Sequence, residues 1–289
     1  MGHQRLEPAN RPQAPEASPH RRAGHRQRWL EFKQSISRPE AILLGVIIWA
    51  IAFGFWEGIV ALHWVNPLFM PPPHKVVSGL YELLAKEGFL FDIGISIYRI
   101  TVSFALASVI AIPLGILMGS FRRVEALINP LVSAWRYLPA PSFIPLLLMW
   151  FGTGEGQKLA LLFIGVIWFL ITIIMDHVKN VRAELIETSL TLGGSRRQIL
   201  WTVVIPASMP HIVTAMRQML AVSWTYLVIA EIVAATTGIG AMMMRAKRFL
   251  HVENIMAGII VIGLLGLLFD YLFRVAHRAL FPYIEERES

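Results

Sequence analysis

The chain has no cysteine and few charges, and it lacks any recognisable catalytic constellation. With no cysteine among 289 residues, a disulfide framework, a thiolate metal site and a thiol nucleophile are excluded, and the redox compartment stays open. Charged residues make up 16% of the chain against 55% hydrophobic ones, too little polarity to clothe an ordinary soluble domain. No stretch matches the phosphate loop G-x-x-x-x-G-K-[ST], so this chain has no nucleotide site of that type. No Ser-His-Asp set or pair of carboxylates stands out. The histidines fall in the N-terminal stretch (His3, His20, His25) or near the ends of apolar runs, without metal-ligand spacing, and no metal is expected. Met242, Met243 and Met244 could suit a soft metal, but a flexible apolar patch is the simpler reading.

What fills the chain instead is apolar runs close to the roughly 20 residues that an α-helix needs to cross a bilayer. They lie at about 41–62, 93–119, 126–149, 158–176, 211–234 and 254–273, which predicts an all-α, polytopic transmembrane helix bundle of about six spans. The first begins only near Ala41 and is too long for the apolar core of a secretory signal. Residues 1–35 are rich in Pro, Ala, Arg and His with no apolar period, and read as a disordered basic tail. Residues 36–280 form the membrane domain, and 281–289 a second tail.

A net charge of +7 fits basic membrane flanks better than nucleic acid, which is not an expected partner. The tail, Arg122, Arg123, Lys179, Arg182, Arg196, Arg197, Arg274, Arg278 and Arg287 lie on one side. They outnumber Lys75, Lys86, Lys158, Arg245, Lys247 and Arg248 on the other. The excess predicts that both termini are cytoplasmic. On the opposite side, Val76, Leu80, Leu83 and Leu84 share one face of a short amphipathic helix that follows three prolines.

The polar insert at 180–206, "ETSLTLGGSRRQILWTVVIP" from Glu187 onward, interrupts this pattern on the cytoplasmic side. Val181, Leu185, Thr188 and Leu192 fall on one helical face. Gly193 and Gly194 end that helix. Ser195 and Gln198 have capping-box spacing and start a second short helix, which carries Ile199, Leu200 and Val203 before Pro206 stops it. Such a helix–turn–helix knob can lie on anionic lipid through Arg196 and Arg197, or dock a soluble partner. The acids Glu184 and Glu187 beside the arginines favour docking.

Charges inside the membrane each need a pairing or a watery path. Arg136 sits in "SAWRYLPAPSFIPL", where Pro139, Pro141 and Pro145 lack N–H donors. It either donates to the freed carbonyls or lines a pathway for an anion. Arg99 reads as snorkelling or pairing with Glu231, with a pathway role open for both. Arg217 reads as structural, bracing the insert, and Asp270 as a surface or pairing residue.

Glu187-Thr188-Ser189, Gly193 and Val203-Val204-Ile205-Pro206 together resemble the signature E-A-A-x3-G-x9-I-x-L-P of binding-protein-dependent ABC importer permeases. Thr188 and Ser189 replace the two alanines, and Val203 and Ile205 replace the isoleucine and leucine. "LFMPPPHKV", "SIYRITVSFALASVIAIPLGILMGS", "YLPAPSFIPLLLMWFGTGE" and "AEIVAATTGIGAMM" extend the resemblance to the nitrate/sulfonate/taurine/bicarbonate branch. The resemblance implies a type I importer fold in the bacterial inner membrane, and a pair of permeases, here expected to be a homodimer in contact with membrane lipid. It implies cytoplasmic ATPase subunits that bind the ATP and a substrate-binding protein on the far side. No cofactor is implied for this chain. Glu187, Thr188, Ser189, Gly193, Gly194, Ile205 and Pro206 would couple to the ATPase, and the solute would be a small anion such as nitrate, a sulfonate, taurine, bicarbonate or an aromatic acid. The alternative is a secondary transporter or channel working alone, which would be expected to show repeats or paired broken spans.

Overall fold

A computed structural model describes residues 36–282; the tail expected at 1–35 and all but the first two residues of that expected at 281–289 lie outside them. The chain divides into two compact units, Met1–Ile51 and Ala52–Ser289. Helix α1 (Arg38–Ala61) runs across that division and is long and apolar enough to cross a membrane. In the second unit, Trp56 Nε1 donates to the Pro71 carbonyl at 3.1 Å, which fixes the three-proline stretch ahead of α2 (Pro73–Lys86). The α2 face that packs is Val76, Gly79 and Leu83; Leu84, expected on it, is exposed. Gly79 takes its place because α2 meets α11 (Val252–Leu280) so closely that a Cβ there would lie 2.8 Å from Asn254 Oδ1.

The core is built on α3 (Phe89–Ser120), α6 (Glu155–Lys179) and α9 (Ile205–Ala234). Helices α3 and α6 run parallel, because Arg99, in the third turn of α3, meets Glu155 at the start of α6, and Gly119 meets Val178 near the last turns of both. Ala107, Ala111, Gly115 and Gly119 form a small-residue stripe on α3. A Cβ on Gly115 would lie 2.7 Å from Ile174 Cγ2. Without a hydrophobic force between helices in lipid, such close backbone approach is what holds membrane helices together. Helix α9 runs antiparallel to α6: His211 stacks on His177 at 5.6 Å at one end and Glu231 reaches Arg99 at the other.

Two parallel helices require the chain to return between them, and that third crossing differs from the expectation. In place of one span at 126–149 there are two short helices, α4 (Arg122–Arg136) and α5 (Ile144–Phe151), joined by a 3₁₀ turn at Ala140–Phe143. Pro139, Pro141 and Pro145 lack the N–H donors that a continuous helix would need there. Among the described residues five helices are long and apolar enough to span alone; this broken segment makes the return. Trp135 holds the break to the core, stacked on Phe143 at 5.6 Å and on Trp168 at 5.3 Å.

Helix α7 (Ala183–Thr191), α8 (Arg196–Ile199) and a π-helical turn (Leu200–Val204) form the insert. The π turn carries α8 straight into α9, so Pro206 does not stop a helix. It occupies the first turn of α9, where its missing N–H does least harm. The fifth span therefore starts earlier than 211. Beyond α9, α10 (Ile239–Arg248) buries Met242 against α2, α3 and α11, so that methionine is core rather than a surface patch.

Candidate functional site

Two polar features stand out at opposite ends of the bundle. The first is the insert. Gly193 adopts φ +85°, a left-handed conformation that costs residues with a Cβ about 1–2 kcal/mol. Its N–H donates to the Leu190 carbonyl at 2.9 Å, and the Gly194 N–H donates to the Ser189 carbonyl at 3.0 Å. This double bond pattern is a Schellman cap, which closes α7 without help from any side chain. Ser195 Oγ then accepts from the Gln198 N–H at 3.3 Å and opens α8.

The insert's orientation differs from the expected one. Ile186, Ile199, Leu200, Val203 and Val204 pack toward the core, whereas Leu185 and Leu192 point outward with Glu187 and Thr188. Val181 precedes α7. No residue of α7 is buried, and Leu192 is 83% exposed. Ser189 Oγ donates to the Leu185 carbonyl at 2.7 Å, which tucks its hydroxyl into the helix. Ile205 and Pro206 lie in the helical continuation into α9.

The second feature is a buried ionic cluster. Asp92, Ser96 and Arg99 lie at i, i+4 and i+7, one face of α3, and all three are buried. The Arg99 guanidinium is wholly buried and uses each of its five N–H groups. Nε and Nη2 donate to the two carboxylate oxygens of Glu155, both at 2.7 Å. Nη1 donates to Glu231 Oε1 at 2.8 Å and to the Thr237 carbonyl at 2.7 Å, and Nη2 also reaches Thr237 Oγ1 at 3.1 Å. Such complete pairing is what makes a charge tolerable at this depth.

The same side chains hold the loop 236–238 and the first turn of α10. Asp92 Oδ1 accepts the Gly238 N–H at 2.6 Å, and Ser96 Oγ accepts the Ile239 N–H at 3.0 Å while donating to Glu231 at 2.7 Å. Glu231 Oε2 accepts the Gly240 N–H at 2.8 Å. Arg245 closes the set by donating to the Thr236 carbonyl and to Asp92. Gly238, at φ +107°, has no room for a Cβ, which would overlap Glu231 and stand 2.6 Å from Arg99 Nη1. Nearby, Lys158 is buried and donates to the Thr153 and Gly154 carbonyls.

The structure thus brings together Arg99 and Glu231, paired rather than snorkelling, and keeps them apart from Arg136 and Pro139 in the third crossing. Arg136 is half-buried with its guanidinium 5.3 Å from the Tyr137 ring centre. Among the described residues it makes no hydrogen bond to the carbonyls of the proline break. Pro139 is exposed. Arg217 pairs with Asp270 on α11 at 3.3 Å instead of bracing the insert. Sequence reasoning missed Asp92, Ser96, Glu155, Lys158, Thr237 and Arg245. The polar stripe of Asp92, Ser96 and Arg99 on an apolar helix was the signal available for the first two.

Comparison with known proteins turns this arrangement into an identity. Residues 111–285 match the family described as the binding-protein-dependent transport system inner membrane component. The chain belongs to this family. The permease is 32% identical over 261 residues to the taurine transport system permease protein TauC of Escherichia coli, covering 89% of this chain and 94% of that one. It is 28% identical over 250 residues to the bicarbonate transport system permease protein CmpB of Synechococcus elongatus, covering 84% and 89%. In fold it is similar to a chain of the MetNI methionine ABC transporter in an inward-facing conformation, with a TM-score of 0.56 at 20% identity over 72% of this chain and 97% of that one. The permease is therefore a multi-pass inner-membrane transport subunit rather than an enzyme. Its family works with ATPase and binding-protein partners, which removes the stand-alone transporter from consideration.

Proposed function

We propose that this permease carries a small anion, handed over by a substrate-binding protein, across the membrane as one half of a homodimer with both termini in the cytoplasm. Glu187, Thr188, Ser189, Gly193, Gly194, Ile205 and Pro206 transmit the motion of the ATPase subunits. The observation that carries this reading is the insert itself. Its first helix, α7, is closed by its own backbone with no buried residue, and the insert presents Leu185, Leu192 and Glu187 outward. An apolar edge rimmed by polar groups and left uncovered by its own chain is a partner surface. The relatives named for taurine and bicarbonate support a solute that carries an anionic group, and the broken crossing around Pro139 beside Arg136 supports a pathway there, because irregular backbone at membrane depth needs protein or water beside it. Arg99 and Glu231 hold the far end of that route in place.

Gly193→Trp tests the coupling role. No atom of this chain lies within 4 Å of a Cβ placed at Gly193, and Gly193→Asn serves as a control for the strain of a side chain at φ +85°, because asparagine tolerates the left-handed turn. Proteoliposomes of the assembled importer are expected to lose ATP-driven uptake with Gly193→Trp and keep it with Gly193→Asn. Normal uptake in the tryptophan variant sinks the docking reading. Arg136→Ala is expected to slow anion uptake without releasing the ATPase; an unchanged rate assigns Arg136 to structure alone.

A further inference from the structure

Between the insert and the membrane domain lies a cavity of about 710 Å³, within the roughly 300–1,000 Å³ of small-molecule sites. Four cations rim it: Arg122 and Arg123 at the start of α4, Lys179 at the end of α6 and Arg196 at the start of α8. Lys179 is paired with Glu125. The three arginines are exposed and make no ion pair or side-chain hydrogen bond among the described residues. The first turn of α4 opens on the same space, and no side chain caps it. The floor is apolar, with Ile186, Leu190, Ile199 and Val204 along it. The cavity thus joins a cluster of unneutralised positive charge to a greasy slot, where three helices that span or enter the membrane end or begin.

We infer that this cavity binds one anionic phospholipid, its phosphate among Arg122, Arg123 and Arg196 and an acyl chain along Ile186, Leu190 and Ile199. The charge complementarity selects an anion. The apolar floor selects an amphiphile over a free ion, which would leave that floor wet. The location at the helix ends puts the phosphate at headgroup depth, where juxtamembrane cations attract anionic lipid. A lipid so placed fills the gap between insert and body and stiffens the lever through which the insert moves the spans. The inference concerns the permease's own surface and stands whichever solute is carried.

Native mass spectrometry of the full-length permease in detergent tests it, with added phosphatidylglycerol, phosphatidylcholine or inorganic phosphate. The wild type is expected to retain one phosphatidylglycerol per chain in preference to phosphatidylcholine. The triple variant Arg122→Gln/Arg123→Gln/Arg196→Gln is expected to retain it on the order of a hundredfold less, given the summed contribution of three cations near an anionic surface. Arg182→Gln/Arg197→Gln, outside the cavity lining, is expected to bind as the wild type does. Leu190→Trp, which narrows the floor without changing charge, is expected to displace the lipid as well and covers the case in which the triple variant fails to fold. Equal retention of both lipids overturns the assignment. Equal loss in both arginine variants, displacement of phosphatidylglycerol by inorganic phosphate, or its displacement by added ATPase subunits overturns it too.

Discussion

At the Arg99 end of the bundle, every donor of a buried guanidinium is taken by this chain, and the segment 236–240 is held through five side chains from three helices. At the Gly193 end, the turn closes on its own backbone and the side chains point away from the protein. One end is complete within the chain; the other leaves an apolar edge that its own chain does not cover. If the insert couples to the ATPase as proposed, this division follows from mechanics. The far end must hold its shape while spans tilt, so its polar groups are satisfied internally. The near end must meet a separate subunit, so its apolar side chains are left uncovered.

The comparison breaks first if the ionic cluster proves dispensable. Arg99→Leu leaves Glu231 buried without its cation, and breaking one partner of a buried pair costs about 3–5 kcal/mol. The expected result is a large drop in the thermal midpoint of the purified permease. Glu155, 49% exposed, can be rehydrated and contributes little to that loss. Adding Glu231→Gln to Arg99→Leu is therefore expected to recover part of the midpoint, since it neutralises the orphaned charge. A midpoint unchanged by Arg99→Leu shows that water reaches the cluster.

Gly238→Ala comes next. A side chain at φ +107° is strained by about 1–3 kcal/mol, and its methyl would press on Glu231 and Arg99. The variant is expected to loosen the loop before α10, visible as faster amide exchange at Ile239 and Gly240 while α6 stays protected. Uniform exchange across both regions would mean that the loop is not a separate fastening.

A smaller effect is expected at the other end. Ser195→Ala removes the one side-chain cap of α8, a loss of about 1 kcal/mol or less because the bond is exposed and long. The expected change is in the amide exchange of Gln198, with the thermal midpoint nearly unmoved. A drop as large as that from Arg99→Leu would show the insert to be part of the core.

These contrasts also explain what could be read from residues alone. The double glycine and the serine after it announce the turn at 193–195, because their conformational preferences act locally. The apolar runs give the helices of the core for the same reason. In the third crossing, Pro139, Pro141 and Pro145 announce a break, but not that the chain would form two separate helices there; the packing of Trp135 on Phe143 and Trp168 shows how the bend is held. Pro206 was misleading: proline stops a helix in its interior yet suits the first turn, and the π turn before it joins α8 to α9. In α2, Gly79 rather than Leu84 faces α11 because the helices approach too closely for a side chain. Glu155 escaped notice because its role depends on Arg99, 56 residues away in the chain. Long-range pairing of that kind leaves no local mark.

The smallest expected effect on the fold is also the sharpest test of the comparison. Leu192 is 83% exposed, so Leu192→Asp removes no packing within this chain and is expected to shift stability by no more than about 0.5 kcal/mol. If the insert's outward edge is a partner surface, a carboxylate in place of that leucine is desolvated only when the ATPase seats on it, and an unpaired buried charge is costly. The variant is then expected to insert and melt as the wild type does, yet to lose co-purifying ATPase. Retained association would mean that Leu192 faces water or lipid in the assembled importer, and the contrast between the two ends would have to rest on Glu187 and the glycine turn alone.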